Sequence, residues 1–199
     1  MPEQTTSPSP VRSVRISFVP PPMEGTISLG IYDQTGKIVR VLHQNAQFDD
    51  FTMGADALAT RWDGKDNEHQ DLPAGRYYAR GYLVGALKRE DLGKTSPPST
   101  EIEANVAKIR LVRNPLRKDK RSIVELGVAF NNEGTYLKTG DGLPVFKISE
   151  TPNVTRAEIA AKGEDAVDIW QEYGAIVHQF RLSHVDQMMA FDCGELDLK

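Results

Sequence analysis

Four acidic side chains lie close together in one turn-forming stretch of the chain. They are Asp63, Asp66, Glu68 and Asp71. Calcium prefers clustered oxygen ligands, so this stretch could form a cation-binding loop. The spacing does not match the EF-hand pattern, and aspartate is common in turns because its carboxylate accepts hydrogen bonds from nearby backbone amides. We therefore interpret the stretch as a solvated acidic turn, with a calcium-stabilised adhesion module as an alternative.

A second set of potential ligands lies near the end of the chain. It consists of His178, His184, Asp186 and Cys193. Imidazole, carboxylate and thiolate groups could bind a metal ion or activate a nucleophile. Nothing in the sequence requires these residues to converge. Alternation places His178 on the apolar face of segment 176–182, which predicts a partly buried, hydrogen-bonded histidine.

Cys193 is the single cysteine, so the chain can form neither an intrachain disulfide nor a cysteine-based zinc site. Its position between Asp192 and Gly194 suggests a turn, where an exposed thiol could be modified or could dimerise. A lone cysteine is more often a small buried apolar residue. A basic run that we interpret as a solvated loop comprises Arg113, Arg117, Lys118, Lys120 and Arg121.

The sequence contains no Gly-rich phosphate loop, no nucleophile elbow and no two-histidine helix motif. We therefore predict no catalytic, cofactor-binding or metal-binding residues, and a protein that is not an enzyme. The formal net charge of −4 gives no attraction for nucleic acid. No stretch approaches the ~20 apolar residues of a membrane-spanning helix, and the N-terminus lacks the pattern of a secretory signal.

The elements that would position these residues are short strands. Val14, Ile16 and Phe18 alternate with polar residues before a run of prolines, which predicts a first strand. Two further strands flank the turn residues 33–36, and another ends at Trp62. Short strands separated by Gly/Pro turns are typical of a β-sandwich. We predict a flexible arm over residues 1–10 and a sandwich over residues 11–87.

Residues 88–104 are charged and contain Ser96-Pro97-Pro98-Ser99, a composition that predicts a linker. Residues 105–199 are interpreted as a second small β domain. Segment 127–138 resembles segment 188–199, so a propeller-like domain, or a fragment of a propeller, is one interpretation. Segment 156–171 is rich in alanine, which predicts a short helix there despite Gly163.

Three motifs of the first half agree with one known family. They are Ile31-Tyr32-Asp33-Gln34-Thr35-Gly36-Lys37-Ile38-Val39-Arg40-Val41-Leu42, Arg61-Trp62-Asp63-Gly64-Lys65-Asp66 and Leu72-Pro73-Ala74-Gly75-Arg76-Tyr77-Tyr78. In order and spacing they resemble the immunoglobulin-like domain of flagellar hook-capping proteins and related C-terminal domains of secreted bacterial proteins. The chain departs from hook-capping proteins because it lacks their long N-terminal region. The resemblance implies a spacer, a secretion-associated module or an adhesion module.

The sequence therefore predicts an all-β protein in which an immunoglobulin-like sandwich precedes a second β domain. The expected function is non-catalytic binding or spacing in an extracytoplasmic bacterial assembly, through a protein or cell-surface partner and without cofactors. An accessory or truncated propeller part of a secreted enzyme is an alternative. A complete second domain would bury Phe130, Phe146, Trp170, Phe180 and Phe191, whereas a fragment would expose some of them.

Overall fold

The computed structural model describes residues 12–98, 105–116 and 121–199. These residues form fifteen β-strands in four antiparallel sheets, and their one helical element is the 3-10 turn Phe48–Asp50. The prediction of an all-β protein is confirmed. The predicted flexible arm, residues 1–10, lies outside the described residues.

The strands of the first half are β1 (Val14–Phe18), β2 (Thr26–Tyr32), β3 (Ile38–Ala46), β4 (Thr52–Met53), β5 (Leu58–Trp62) and β6 (Gly75–Val84). The remaining strands are β7 (Lys88–Thr95), β8 (Ala107–Arg110), β9 (Ile123–Asn131), β10 (Gly134–Thr139), β11 (Pro144–Ser149), β12 (Arg156–Lys162), β13 (Ala166–Tyr173), β14 (Ile176–Ser183) and β15 (Met188–Leu198).

The first module consists of two sheets packed face to face. Sheet 1 has the strand order β1-β5-β4, and sheet 2 has the order β15-β6-β2-β3. The predicted first strand is confirmed, since Ile16 and Phe18 of β1 are buried. Trp62 is fully buried and donates through Nε1 to the carbonyl oxygen of Lys65 (2.9 Å). Its indole therefore anchors the acidic turn to the core of the first module.

The second module consists of two four-stranded sheets around one shared core. Sheet 3 has the order β11-β10-β9-β8, and sheet 4 has the order β12-β13-β14-β7. Ile109 and Leu137 of sheet 3 join Ile169 and Leu182 of sheet 4 in that core. The module is thus two packed sheets.

Segment 88–95 corrects the predicted linker, because Lys88–Thr95 form β7 and pair with β14. The backbone bonds of an edge strand hold this charged segment although its side chains are mostly exposed. Residues 99–104 of the predicted linker lie outside the described part of the chain. Charged composition in segment 88–95 therefore marked an exposed edge strand.

The C-terminal strand β15 belongs to the first module. It pairs with β6 over its whole length, and Phe191 lies in the core shared by sheets 1 and 2. Its register shifts between Asp192 and Gly194, so Cys193 is the extra residue of a β-bulge. The similarity of segments 127–138 and 188–199 is not a structural repeat, because the first is the β9–β10 hairpin and the second is one strand.

The five aromatic side chains that bear on the completeness of the second module differ in exposure. Phe180 is buried in its core, while Phe146 and Trp170 are partly buried. Phe191 is buried in the first module, and Phe130 remains 42% exposed. The second module therefore buries most of its own apolar side chains. The strand that follows it in the sequence, β15, belongs to the first module.

The predicted helix over residues 156–171 is wrong, because this segment forms most of the β12–β13 hairpin. Ile159, Val167 and Ile169 are fully buried by the sheet. Alanine's helix propensity is small compared with the burial that these apolar residues gain by alternation in a strand. Gly163 has φ 72° in the turn, a conformation that glycine adopts without strain.

The two modules are joined by a two-stranded ribbon with one short interruption. Strand β6 pairs with β15 in sheet 2, and after a short interruption β7 pairs with β14 in sheet 4. At the interruption the amide of Gly85 donates to the carbonyl oxygen of Gln187 (2.8 Å). A side chain at Gly85 would meet that same oxygen at 2.8 Å, so only glycine fits without displacement. The chain therefore passes between the modules twice within this ribbon, once from β6 to β7 and once from β14 to β15.

Sheet 2 is covered on both faces. Ile27, Leu29 and Ile31 face the first core, whereas Tyr82 and Val84 of β6 contribute to the core of the second module. The two cores thus share a sheet, so the packing of one module supports that of the other. Arg12 Nε also donates to the backbone oxygen of Lys199 (2.7 Å), which brings the two ends of the described fold together. No helix among the described residues is long and apolar enough to cross a membrane.

A protease cut between β7 and β8 is expected to leave the two pieces associated. One piece would carry β6 and β7, and the other would carry their partners β15 and β14. With a specific cleavage site inserted between Thr95 and Ala107, the cut protein should elute as one species in native buffer and separate only in denaturant. Separation in native buffer would show that these strand pairings do not hold the modules together.

Candidate functional site: a polar cleft in the second module

A cleft of about 600 Å³ opens between sheets 3 and 4. Its volume lies within the range of ligand-binding pockets. The lining residues come from β7, β11, β13, β14 and the segment after β11; we call this site the polar cleft. They are Arg89, Asp91, Lys147, Ile148, Ser149, Glu150, Thr151, Pro152, Gln171, Tyr173, His178 and Phe180.

The floor of the polar cleft is a buried hydrogen-bond network centred on Gln171, which is 1% exposed. Its Oε1 accepts from Ser149 Oγ (2.7 Å) and from Thr135 Oγ1 (3.0 Å). Its Nε2 donates to Thr151 Oγ1 (2.9 Å). A buried amide is tolerated only when such partners satisfy it, so the network fixes β10, β11 and β13 relative to one another.

One wall of the polar cleft carries a histidine–aspartate pair. His178 Nε2 and Asp91 Oδ1 lie 2.5 Å apart, and the His178 ring stacks on Phe180 with a centroid distance of 4.8 Å. The amide of Gly93 also donates to Asp91 Oδ1 (2.8 Å). The hydrogen bond from His178 lowers the pKa of the Asp91 carboxyl below its ordinary value, and the Gly93 amide adds to that shift.

Two cations border the polar cleft, and both are held in place. Arg89 Nη1 donates to the carbonyl oxygen of Ile148 (2.8 Å), and its guanidinium lies 5.0 Å from the centre of the Phe180 ring. Lys147 Nζ donates to Glu150 (3.2 Å), a bond that raises the pKa of Lys147 above its ordinary value. Arg89 therefore links the edge strand β7 to the edge strand β11 across the opening.

The polar cleft contains a serine, a histidine and an aspartate, but they are not connected as in a catalytic triad. In a triad the serine hydroxyl donates to the histidine, which in turn donates to the aspartate. Here the Ser149 hydroxyl bonds to Gln171, and His178 bonds to Asp91 through Nε2. The arrangement therefore does not activate Ser149 as a nucleophile.

The carboxylates of the acidic turn in the first module form hydrogen bonds and an ion pair within the turn itself. Asp63 Oδ1 accepts from the amide of Lys65 (3.1 Å), and Asp66 Oδ1 accepts from the amides of Glu68 and Gln70. Lys65 and Asp71 form an ion pair at 3.4 Å. These bonds are those of an aspartate-rich turn.

The structure separates the potential ligands near the end of the chain. His178 is partly buried in the polar cleft, and Cys193 is partly buried in the bulge against the first core. His184 and Asp186 do come together, but their third neighbour is Asp165, which the sequence did not single out. In the basic run, Arg121 donates to the carbonyl oxygen of Phe191 (2.8 Å), while 117–120 fall outside the described ranges.

The sequence pattern did not predict most of the polar cleft. Asp91 lay in a segment interpreted as a linker, and Gln171 lay in a segment interpreted as the end of a helix. The available signal was the spacing of Val167, Ile169 and Gln171 at every second position, which places Gln171 on the same inward face of a strand as the two apolar residues. No family model, curated protein or solved structure matches this chain.

Proposed function

We propose that this chain is a non-catalytic binding protein that presents the polar cleft to a protein partner in an extracytoplasmic bacterial assembly. The observation that carries the proposal is a preformed cleft that opens between two edge strands. Arg89, His178 and Gln171 are each held by intramolecular bonds. Side chains that are already ordered lose little further entropy when a partner binds.

The chemistry of the polar cleft suits an extended polar segment of a protein. Strands β7 and β11 are each the last strand of their sheet, so part of their backbone is available for pairing. Lys147 and Glu150 offer charge of both signs, and Tyr173 offers an aromatic surface that is partly exposed. A mixture of donors, acceptors and one aromatic anchor is typical of a binding surface.

The extracytoplasmic and bacterial setting rests on the resemblance of the first module's motifs to hook-capping immunoglobulin-like domains. Two features that such motifs need are present. Gly36 and Gly64 have φ of 84° and 75° in their turns, and Trp62 fills the first core. In this proposal the first module is the scaffold, and the second module carries the contact.

Selection of random peptides displayed on phage tests this proposal. Peptides enriched on the wild-type chain should bind at least about tenfold more weakly to a Tyr173→Ala/Lys147→Ala variant, because one anchoring side chain of a binding surface often contributes more than 1.4 kcal/mol. The matched control is Tyr78→Ala/Lys37→Ala in the first module, which should bind the peptides as the wild type does. Equal binding to the cleft variant, or no enrichment at all, would contradict the proposal.

A further inference from the structure

Three potential metal ligands meet where the two modules join. Asp165 lies in the turn between β12 and β13, while His184 and Asp186 lie in the connection between β14 and β15. One ligand atom from each side chain lies within 4.8 Å of the other two. The amide of Val185 donates to the carbonyl oxygen of Asp165 (3.0 Å), so a backbone bond holds the two segments side by side.

One carboxylate oxygen at this place has no partner among the residues that the structure describes. Oδ1 of Asp186 is buried and accepts no hydrogen bond, whereas Oδ2 accepts from Gln187 Nε2 (3.2 Å). A buried oxygen of a carboxylate without a donor is costly, and a bound cation would remove that cost. The carboxylates of the acidic turn differ, because Asp63 and Asp66 already accept backbone hydrogen bonds there.

We propose that Asp165, His184 and Asp186 bind a divalent first-row transition-metal ion such as Zn²⁺. A histidine nitrogen together with two carboxylates favours such an ion over Ca²⁺, which prefers oxygen ligands alone. Three protein ligands leave a fourth position for water or for a group from another molecule. The bound ion would clamp the β12–β13 turn to the β14–β15 connection at the module boundary.

Binding of an ion requires the three ligand atoms to move closer together. Ligand atoms about 2.1 Å from a tetrahedral metal ion lie about 3.4 Å apart, so atoms that now lie within 4.8 Å of one another need to approach by at most about 1.4 Å. Asp165 and His184 are exposed, so their side chains can rotate to make that change.

Titration of the metal-free full chain with ZnCl₂ by calorimetry tests the site. We expect binding of one ion per chain and a melting temperature that rises with Zn²⁺ and returns to its starting value with chelator, because the ion binds the folded state. His184→Asn should weaken binding by about tenfold or more. Asparagine suits this position, since His184 has φ 64°, a left-handed conformation that asparagine tolerates.

The matched control is His69→Asn, because His69 is also exposed, has φ 61° and lies among the carboxylates of the acidic turn. It should bind Zn²⁺ as the wild type does. A second pair uses neighbouring exposed residues: Asp165→Asn should weaken binding, and Glu164→Gln should not. Absence of one-to-one binding, unchanged affinity in His184→Asn and Asp165→Asn, or an equal loss in the controls would overturn the proposal.

Discussion

Replacing Phe191 by alanine is expected to lower the free energy of unfolding by about 3 to 5 kcal/mol. Phe191 is 1% exposed, and its ring stacks on that of Phe18 with a centroid distance of 4.9 Å. The substitution would leave a cavity between sheets 1 and 2, which rigid strands can fill only in part. Chemical denaturation followed by tryptophan fluorescence would measure the loss, since Trp62 lies in the same core.

Phe130→Ala is the matched control, because it removes the same atoms from a side chain that is 42% exposed. It should change the free energy of unfolding by less than about 1 kcal/mol. Since sheet 2 is shared by both cores, the Phe191→Ala protein should still unfold in one transition. Equal losses in the two variants would mean that β15 is not packed in the first core.

Replacing Gln171 by leucine is expected to cost about 2 to 4 kcal/mol, although the two side chains are similar in size. The change removes the acceptor of two buried hydroxyl groups, those of Thr135 and Ser149. Each donor left without a partner costs roughly 1 to 3 kcal/mol. Gln44→Leu on the exposed face of β3 provides the control and should have little effect on stability.

A triple variant separates lost hydrogen bonds from poor packing. Adding Thr135→Val and Ser149→Ala to Gln171→Leu removes the stranded hydroxyls, and apolar replacement of both partners is nearly neutral when shape is kept. The triple variant should therefore recover part of the stability that Gln171→Leu loses, as measured by denaturant melts. If it is no more stable than the single variant, the hydrogen bonds are not the cause of the loss.

The strands of the first module could be predicted because their pattern is local. In β1, Ile16 and Phe18 alternate with polar residues, and one face of the strand is buried. The turn at Gly36 was predictable because glycine adopts positive φ readily, and the burial of Trp62 was predictable because its side chain is large and apolar. Alternation of apolar and polar residues predicts which face of a strand is buried. A few consecutive residues were therefore enough to predict these strands.

The remaining elements depend on partners that are distant in the chain. Strand β7 has almost no buried side chain, so only its pairing with β14 makes it a strand. Strand β15 pairs with β6, which lies more than 100 residues earlier in the sequence. The polar cleft depends on the same pairings, because Asp91 and His178 meet only when β7 lies beside β14. No local pattern encodes contacts of this kind.

The meeting of Arg12 and Lys199 has a mechanical consequence. A stretching force applied between these two residues would act across the first module, where β1 packs against β15. The second module is connected to the first through the neighbouring strands of one ribbon. Little of the stretching force would therefore act on the second module. The shape of the polar cleft would therefore be insulated from tension along the chain, and the binding that we propose there would persist while the first module is pulled.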